Sequence, residues 1–289
     1  MDSQIQEQKE RRYSVPIALT IAGSDPSGGA GMQADRKTCP QHRIYGASVI
    51  TLITAQNTQG VFRVEVLSPD LISAQLQAVL DDLQISAIKT GALGNRHSIA
   101  AIARILREKW KGPLVIDPVF VRKHGHPLIE EDAIGLSIET LFPLATLLTP
   151  NRFEIEQILK KIGRPRPIND LKAMEEEGAM LSQRFGCAVL VKGGHMEGAA
   201  DDVLCIQDRA IHFKAPRIET KHTHGTGCSY ASAIASHLAW GQPLEESIRR
   251  AKAWIHKAIS RPPEVGMGIG PIDHFAAIDE HLELSRGLP

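Results

Sequence analysis

Short apolar runs alternate with longer amphipathic stretches along most of this chain, and nearly every apolar run ends in glycine, proline or a polar motif. Residues 17–22, 48–55, 87–90, 114–117, 146–149 and 188–192 read as strands. Helical stretches are expected at about 32–42, 69–83, 98–110, 130–142, 153–161 and 169–185. Pro69 opens its helix, while Asn169 caps the last of these and Gly186 stops it. Strands separated by helices must pair in parallel through crossovers, so the sheet is covered on both faces. Residues 61–67 alternate as a half-exposed strand. Residues 203–206 and 210–213 read as a hairpin around Asp208-Arg209. Two helices, 229–240 and 244–261, close the pattern. The expected architecture is α/β: a three-layer α/β/α sandwich with a central, mostly parallel sheet. It forms one domain over 15–275, with a flexible tail at 1–14 and an extension at 276–289.

In open parallel sheets, ligands bind beyond the carboxyl ends of strands. Here the special motifs fall at those ends: Gly23, Gln56, Thr90-Gly91, Asp117-Pro118, Pro150-Asn151 and Lys192-Gly193-Gly194. Six strands agreeing on one location outweigh any single motif.

Composition narrows the function classes. The 33 basic and 33 acidic residues balance, and aromatics make up 4%. Neither value suits a nucleic-acid surface or an anionic membrane. Cysteines stand at 39, 187, 205 and 228 without CxxC spacing, so neither a disulfide framework nor a structural zinc site is expected. The twelve histidines form no HExxH. Residues 1–13 lack the apolar core of a secretory signal, and no apolar run approaches the roughly 18 residues of a membrane span. The expected compartment is the cytoplasm.

The strongest chemical element is Gly225-Thr226-Gly227-Cys228, opening a small-residue helix. A helix start attracts anions through its free N–H groups and dipole. The same field is expected to lower the Cys228 pKa below its ordinary value of about 8.5. A buried, inert cysteine is the alternative. The loop 23–31 lacks the Lys-Ser/Thr of a Walker P-loop and the dinucleotide fingerprint. It is either a tight turn or a close backbone approach to a flat small molecule. Asp35, on the next helix, is either solvated on an exposed face or a partner for a substrate hydroxyl. Gln56 can pair bidentately with a heterocycle that sets a ring nitrogen beside an amine, or simply end its strand. Asn151 and Glu154 read as a capping box, as neighbours of magnesium, or both. Lys192 can reach phosphate or face solvent. The run 117–127 is rich in cations, as a lid over phosphates or a plain solvated loop would be.

Taken together, these residues resemble the bacterial hydroxymethylpyrimidine/phosphomethylpyrimidine kinases of thiamine biosynthesis, within the ribokinase-like superfamily. The resemblance runs from about 17 to 275. It rests on Leu19-Thr-Ile-Ala-Gly-Ser-Asp-Pro-Ser-Gly-Gly-Ala-Gly31, Gln33-Ala-Asp-x-Lys-Thr38, Ala55-Gln-Asn-Thr58, Asp117-Pro-Val119, Thr149-Pro-Asn-x-x-Glu154, Lys192-Gly-Gly-His195 and Thr223-His-Gly-Thr-Gly-Cys228. It implies ATP, Mg²⁺ and commonly a homodimer. By residue, it implies that Gly23, Asp35, Gln56 and Val119 line an aminopyrimidine pocket. Lys192, Asn151 and Lys123 fall on the nucleotide side, Glu154 and Asp117 on the metal side. Gly225, Thr226 and Gly227 form the anion hole. Cys228 stands where superfamily sugar kinases place an aspartate base. The implied reactions are phosphorylation of 4-amino-5-hydroxymethyl-2-methylpyrimidine and then of its monophosphate.

Two departures bear on the substrate. Ala92 stands where the family usually has methionine packing on the ring, and Phe120 is a candidate replacement. The lid reads Phe120-Val-Arg-Lys-His-Gly125 rather than Met-x-x-Lys-Ser-Gly. A pyridoxal or pyridoxine kinase on the same scaffold is the nearest alternative. A non-catalytic pyrimidine sensor and a dinucleotide oxidoreductase are more distant ones.

Overall fold

β-branched residues concentrate in the apolar runs, and these form the strands. The computed structural model describes residues 15–120, 131–196 and 198–276. Its nine-stranded sheet contains β1 (Ile17–Ser24), β2 (Tyr45–Asn57), β3 (Gly60–Val66), β4 (Ile85–Thr90), β5 (Leu114–Ile116), β6 (Leu147–Leu148), β7 (Ala188–Val191), β8 (Asp202–Ile206) and β9 (Arg209–Phe213). Their order is β3-β2-β1-β4-β5-β6-β7-β8-β9. From β2 across to β7 all neighbours are parallel. β3 pairs antiparallel with β2, and β9 with β8, because short turns join them; β8 also runs antiparallel to β7. The second turn is Gln207-Asp208, one residue earlier than expected. Strand order reverses between β1 and β4, which opens a crevice at their carboxyl ends.

The helices are α1 (Gly31–Gln41), α2 (Pro69–Asp82), α3 (Arg96–Lys109), α4 (Glu131–Thr140), α5 (Arg152–Lys161), α6 (Leu171–Phe185), α7 (Thr226–Ala239) and α8 (Leu244–Ser260). Successive strand residues point to opposite faces. Ala87, Val115, Leu147 and Leu204 therefore pack with α7 and α8. Ile88, Leu114, Ile116 and Leu148 pack with α2 to α6. Ala18 joins Cys39 of α1 beside Ala239 of α7. The three layers are those expected. α7 is buried on all sides from Ser229 to Leu238, which its alanines and serines permit. It presses against α1, α8 and the strands β1, β4 and β5.

Asp170, not Asn169, caps α6, accepting from Ala173 N at 2.7 Å. Asn169 instead accepts from Arg152. The tail expected at 1–14 and nearly all of the extension at 276–289 lie outside the described residues.

Three histidines, His237 and His274 buried and His42 half-buried, make the fold sensitive to acid. Burial pushes His42 down to about 3, and His237 and His274 down to about 4. The His42 and His237 rings meet edge-on with centroids 4.7 Å apart. The unfolded chain protonates these rings near pH 6.5 while the folded chain does not, so stability falls as pH drops below about 6.5. At pH 5 the loss reaches up to about 2 kcal/mol per histidine. Thermal melts at pH 7.5 and pH 5 should show a clear drop in Tm; equal values would contradict this.

Candidate active site

A cavity of about 640 Å³ runs along the carboxyl ends of the strands. Gly23 of β1, Gln56 of β2, Ala92 after β4, Asn151, Glu154, Lys192 and Gly225 to Cys228 all line it. Of the expected site residues, Gly23, Gln56, Val119, Asp117, Asn151, Glu154, Lys192 and Gly225 to Cys228 all reach this one cavity. Lys123 lies outside the described residues. Asp35 is the exception.

The start of α7 is built around two glycines. Gly225 takes φ +79°, and a Cβ there would fall 1.8 Å from Gly29 O. Only glycine permits that left-handed turn and close approach. At Gly227 a Cβ would lie 3.4 Å from Lys192 Nζ and 3.7 Å from Asp117 Oδ2. The first turn of α7 therefore faces this charged pair directly. No side chain caps the helix, which leaves first-turn N–H groups for an anion.

Cys228 does not behave as the helix field alone suggests. Burial pushes its thiol up to about 11, against the opposing pull of the Lys89 ammonium, while Asp35 and Asp117 push it further. At neutral pH the group is a thiol rather than a thiolate. Desolvation outweighs the dipole here.

Asp35 corrects a second expectation. It lies on no exposed face; it is fully buried and outside the cavity lining. Lys89 Nζ donates to its two oxygens at 3.0 and 2.8 Å, and Thr20 Oγ1 donates at 2.5 Å. Burial favours the neutral acid and raises its pKa, with Lys89 acting against that. Lys89 was the missed residue. A lysine inside the apolar run 87–90 needs a buried partner, and that was the available signal. Phe120 likewise turns inward: it stacks on Phe142 at 6.5 Å and stays off the cavity lining. It does not replace the ring contact that Ala92 lacks.

Lys192 Nζ donates to Asp117 Oδ1 at 2.7 Å, and Thr149 Oγ1 donates to the same oxygen at 3.1 Å. Asn151 caps α5 and forms a capping box with Glu154, whose Oε2 accepts from Asn151 N at 2.7 Å. Burial, opposed by Lys192 and reinforced by Asp117, pushes Glu154 up to about 8. Lys192 thus pairs with Asp117, while Glu154 beside them largely keeps its proton at neutral pH until a cation displaces it, and each carboxyl spends one oxygen on structure. This arrangement fits a hard divalent cation held by one or two carboxylates, water and substrate phosphates. Among the described residues no group of three His, Cys, Asp or Glu forms a closed metal cage.

His224 and Asp25 also line the cavity and went unread in the sequence. Their ring and carboxylate meet at 2.7 Å although 199 positions separate them.

The family model described as phosphomethylpyrimidine kinase matches residues 25–273, most of the chain. The chain belongs to the phosphomethylpyrimidine kinase family. A family relative from Rhizobium meliloti, named hydroxymethylpyrimidine/phosphomethylpyrimidine kinase, is 47% identical over 90% of this chain and 97% of its own. The fold matches the solved phosphomethylpyrimidine kinase of Clostridium difficile with TM-score 0.74 and 38% identity, covering 84% of this chain and 99% of that one. It also matches Bacillus subtilis pyridoxal kinase, solved as an ADP complex, with TM-score 0.84 and 34% identity, covering 91% and 98%. The ribokinase-like fold is therefore common to the phosphomethylpyrimidine kinase family and to pyridoxal kinases, and the fold alone does not choose the ring.

Proposed function

We propose that this enzyme transfers phosphoryl groups from ATP, with Mg²⁺, first to the hydroxymethyl group of 4-amino-5-hydroxymethyl-2-methylpyrimidine and then to the resulting monophosphate. The observation that carries the reading is the uncapped, glycine-led start of α7 beside the Lys192–Asp117 pair, in one cavity with Gln56. In phosphoryl transfer the protein mainly positions the groups and stabilises charge. The α7 N–H groups and the Lys192 ammonium supply fixed positive potential where that charge develops. Asp117 holds Lys192 in place, and the Asn151 cap fixes Glu154. Asp117 and Glu154 would hold magnesium, which neutralises phosphate charge when bound. Gln56 and the backbone at Gly23 hold the ring flat. Incubation with ATP, Mg²⁺ and the alcohol, read by phosphorus NMR, should give monophosphate and then diphosphate. Absence of both would overturn the reading.

A homodimer in the cytosol belongs to the same reading. Exposed Phe62 and Val64 on the free edge strand β3, and cysteines that are all unpaired, support it.

Cys228 has a narrower role than a standing base. Its thiol holds its proton, and a loose transition state asks little of a base. It orients the incoming hydroxyl. The second acceptor is an ionised phosphate oxygen with no proton to remove. Cys228→Ala should therefore slow both steps by less than about tenfold. A general base would show itself as a fall of about 10²–10⁴ confined to the first step. Separate turnover assays with the alcohol and the monophosphate distinguish the two.

A further inference from the structure

We propose that Asp25 and His224 fix which end of the Gln56 carboxamide is oxygen, and through it which ring the cavity accepts. This rests on the aminopyrimidine reading above and deepens it.

Asp25 Oδ1 accepts from Ser27 N at 2.9 Å and Ser27 Oγ at 2.7 Å, and Oδ2 accepts from Ala30 N at 2.9 Å. Burial works against this carboxylate, yet the bonds from His224 and Ser27 hold its pKa below the ordinary range. An ionised carboxylate only accepts. His224 Nε2, 2.7 Å from Oδ2, therefore carries the hydrogen, whether the ring is neutral or charged. A protonated ring nitrogen has no lone pair for an amide N–H, but its one hydrogen can be shared, at 2.7 Å with Asp25 Oδ2 and at 3.1 Å with an amide oxygen. The amide end facing Nε2 is therefore oxygen.

The opposite end of the amide gives the same answer independently. Thr54 Oγ1 lies 2.9 Å from Ser24 O, a carbonyl that only accepts, so the single hydroxyl hydrogen goes there. The amide end 3.2 Å from Oγ1 must be nitrogen, donating to the hydroxyl. An amide with Nε2 toward His224 and Oε1 toward Thr54 conflicts at both contacts. A half-turn of the terminal amide resolves both, and an amide's two ends are assigned from such partners.

One oxygen lone pair and one amide hydrogen remain, at ends that cannot exchange. An aminopyrimidine presents a ring-nitrogen acceptor beside an amine donor. Its 4-oxo analogue presents an N–H donor beside a carbonyl acceptor, the reverse order. A fixed amide distinguishes them, and a bidentate match of this kind is worth about 10- to 100-fold in discrimination.

The test measures kcat/KM for the amino alcohol and its 4-oxo analogue on wild type, Asp25→Asn and Thr54→Val. In Asp25→Asn the new amide can turn its nitrogen toward Nε2 at the expense of the Ala30 bond; donating there moves the imidazole hydrogen to Nδ1 and frees Gln56 to turn. Thr54→Val removes the acceptor at the other end and leaves the Asp25 loop intact. Wild type should prefer the amino ring by about 10- to 100-fold, and each variant should cut that ratio about tenfold or more. General damage would lower both substrates alike. Nitrogen NMR should show the His224 hydrogen on Nε2 in wild type and on Nδ1 in Asp25→Asn. Folded variants that keep the wild-type ratio, or an unprotonated Nε2 in wild type, would overturn the inference. A wild type inactive on the amino alcohol would instead overturn the functional reading, and this inference with it.

Discussion

Gly225→Ala should lower kcat/KM by about 10²–10³-fold, the size of effect seen when one backbone donor of a charge-stabilising site is lost. The methyl group would collide with Gly29 O and require a left-handed backbone that alanine resists. The α7 start must shift, and its N–H groups then miss the developing charge. The body of α7, buried between α1 and α8, should hold the fold together. Steady-state kinetics alongside a thermal melt check this. Near-normal turnover would show that the α7 start is not where charge is stabilised.

Asp35→Ala should be the most destabilising single change. It leaves the Lys89 ammonium buried without its counter-ion, which costs about 3–5 kcal/mol. In a chain of this size that corresponds to a Tm lower by about 5–8 °C. Thr20 loses its acceptor at the same time. Asp35→Leu combined with Lys89→Met should recover most of the loss, because an apolar pair can replace a buried ion pair. Calorimetry of single and double variants checks it. A double variant as unstable as the single would show that the pair is more than mutual compensation.

What the sequence made legible were features set by local chemistry. Strand–helix alternation forced a parallel sheet, and the motifs at strand ends converged because all such ends lie on one edge. The capping box of Asn151 and Glu154 and the glycine start of α7 follow from neighbouring residues. What stayed hidden depends on distant neighbours. Asp35 meets Lys89 across 54 positions and His224 meets Asp25 across 199. Neither spacing has a local signature. The Cys228 thiol departs from expectation because the helix field is visible in sequence while desolvation in the cavity and the nearby Asp35 and Asp117 are not. Phe120 was misjudged for a similar reason, because the Phe142 ring that draws it inward belongs to a later segment.

The shared scaffold leaves the ring as the decisive question, and Gln56 is the residue on which the answer turns. The most direct test is a side-by-side measurement of kcat/KM with ATP and Mg²⁺ for the aminopyrimidine alcohol and for pyridoxal. The account predicts a higher value for the aminopyrimidine, followed by conversion of its monophosphate to the diphosphate. A higher value for pyridoxal, with no diphosphate formed, would contradict it.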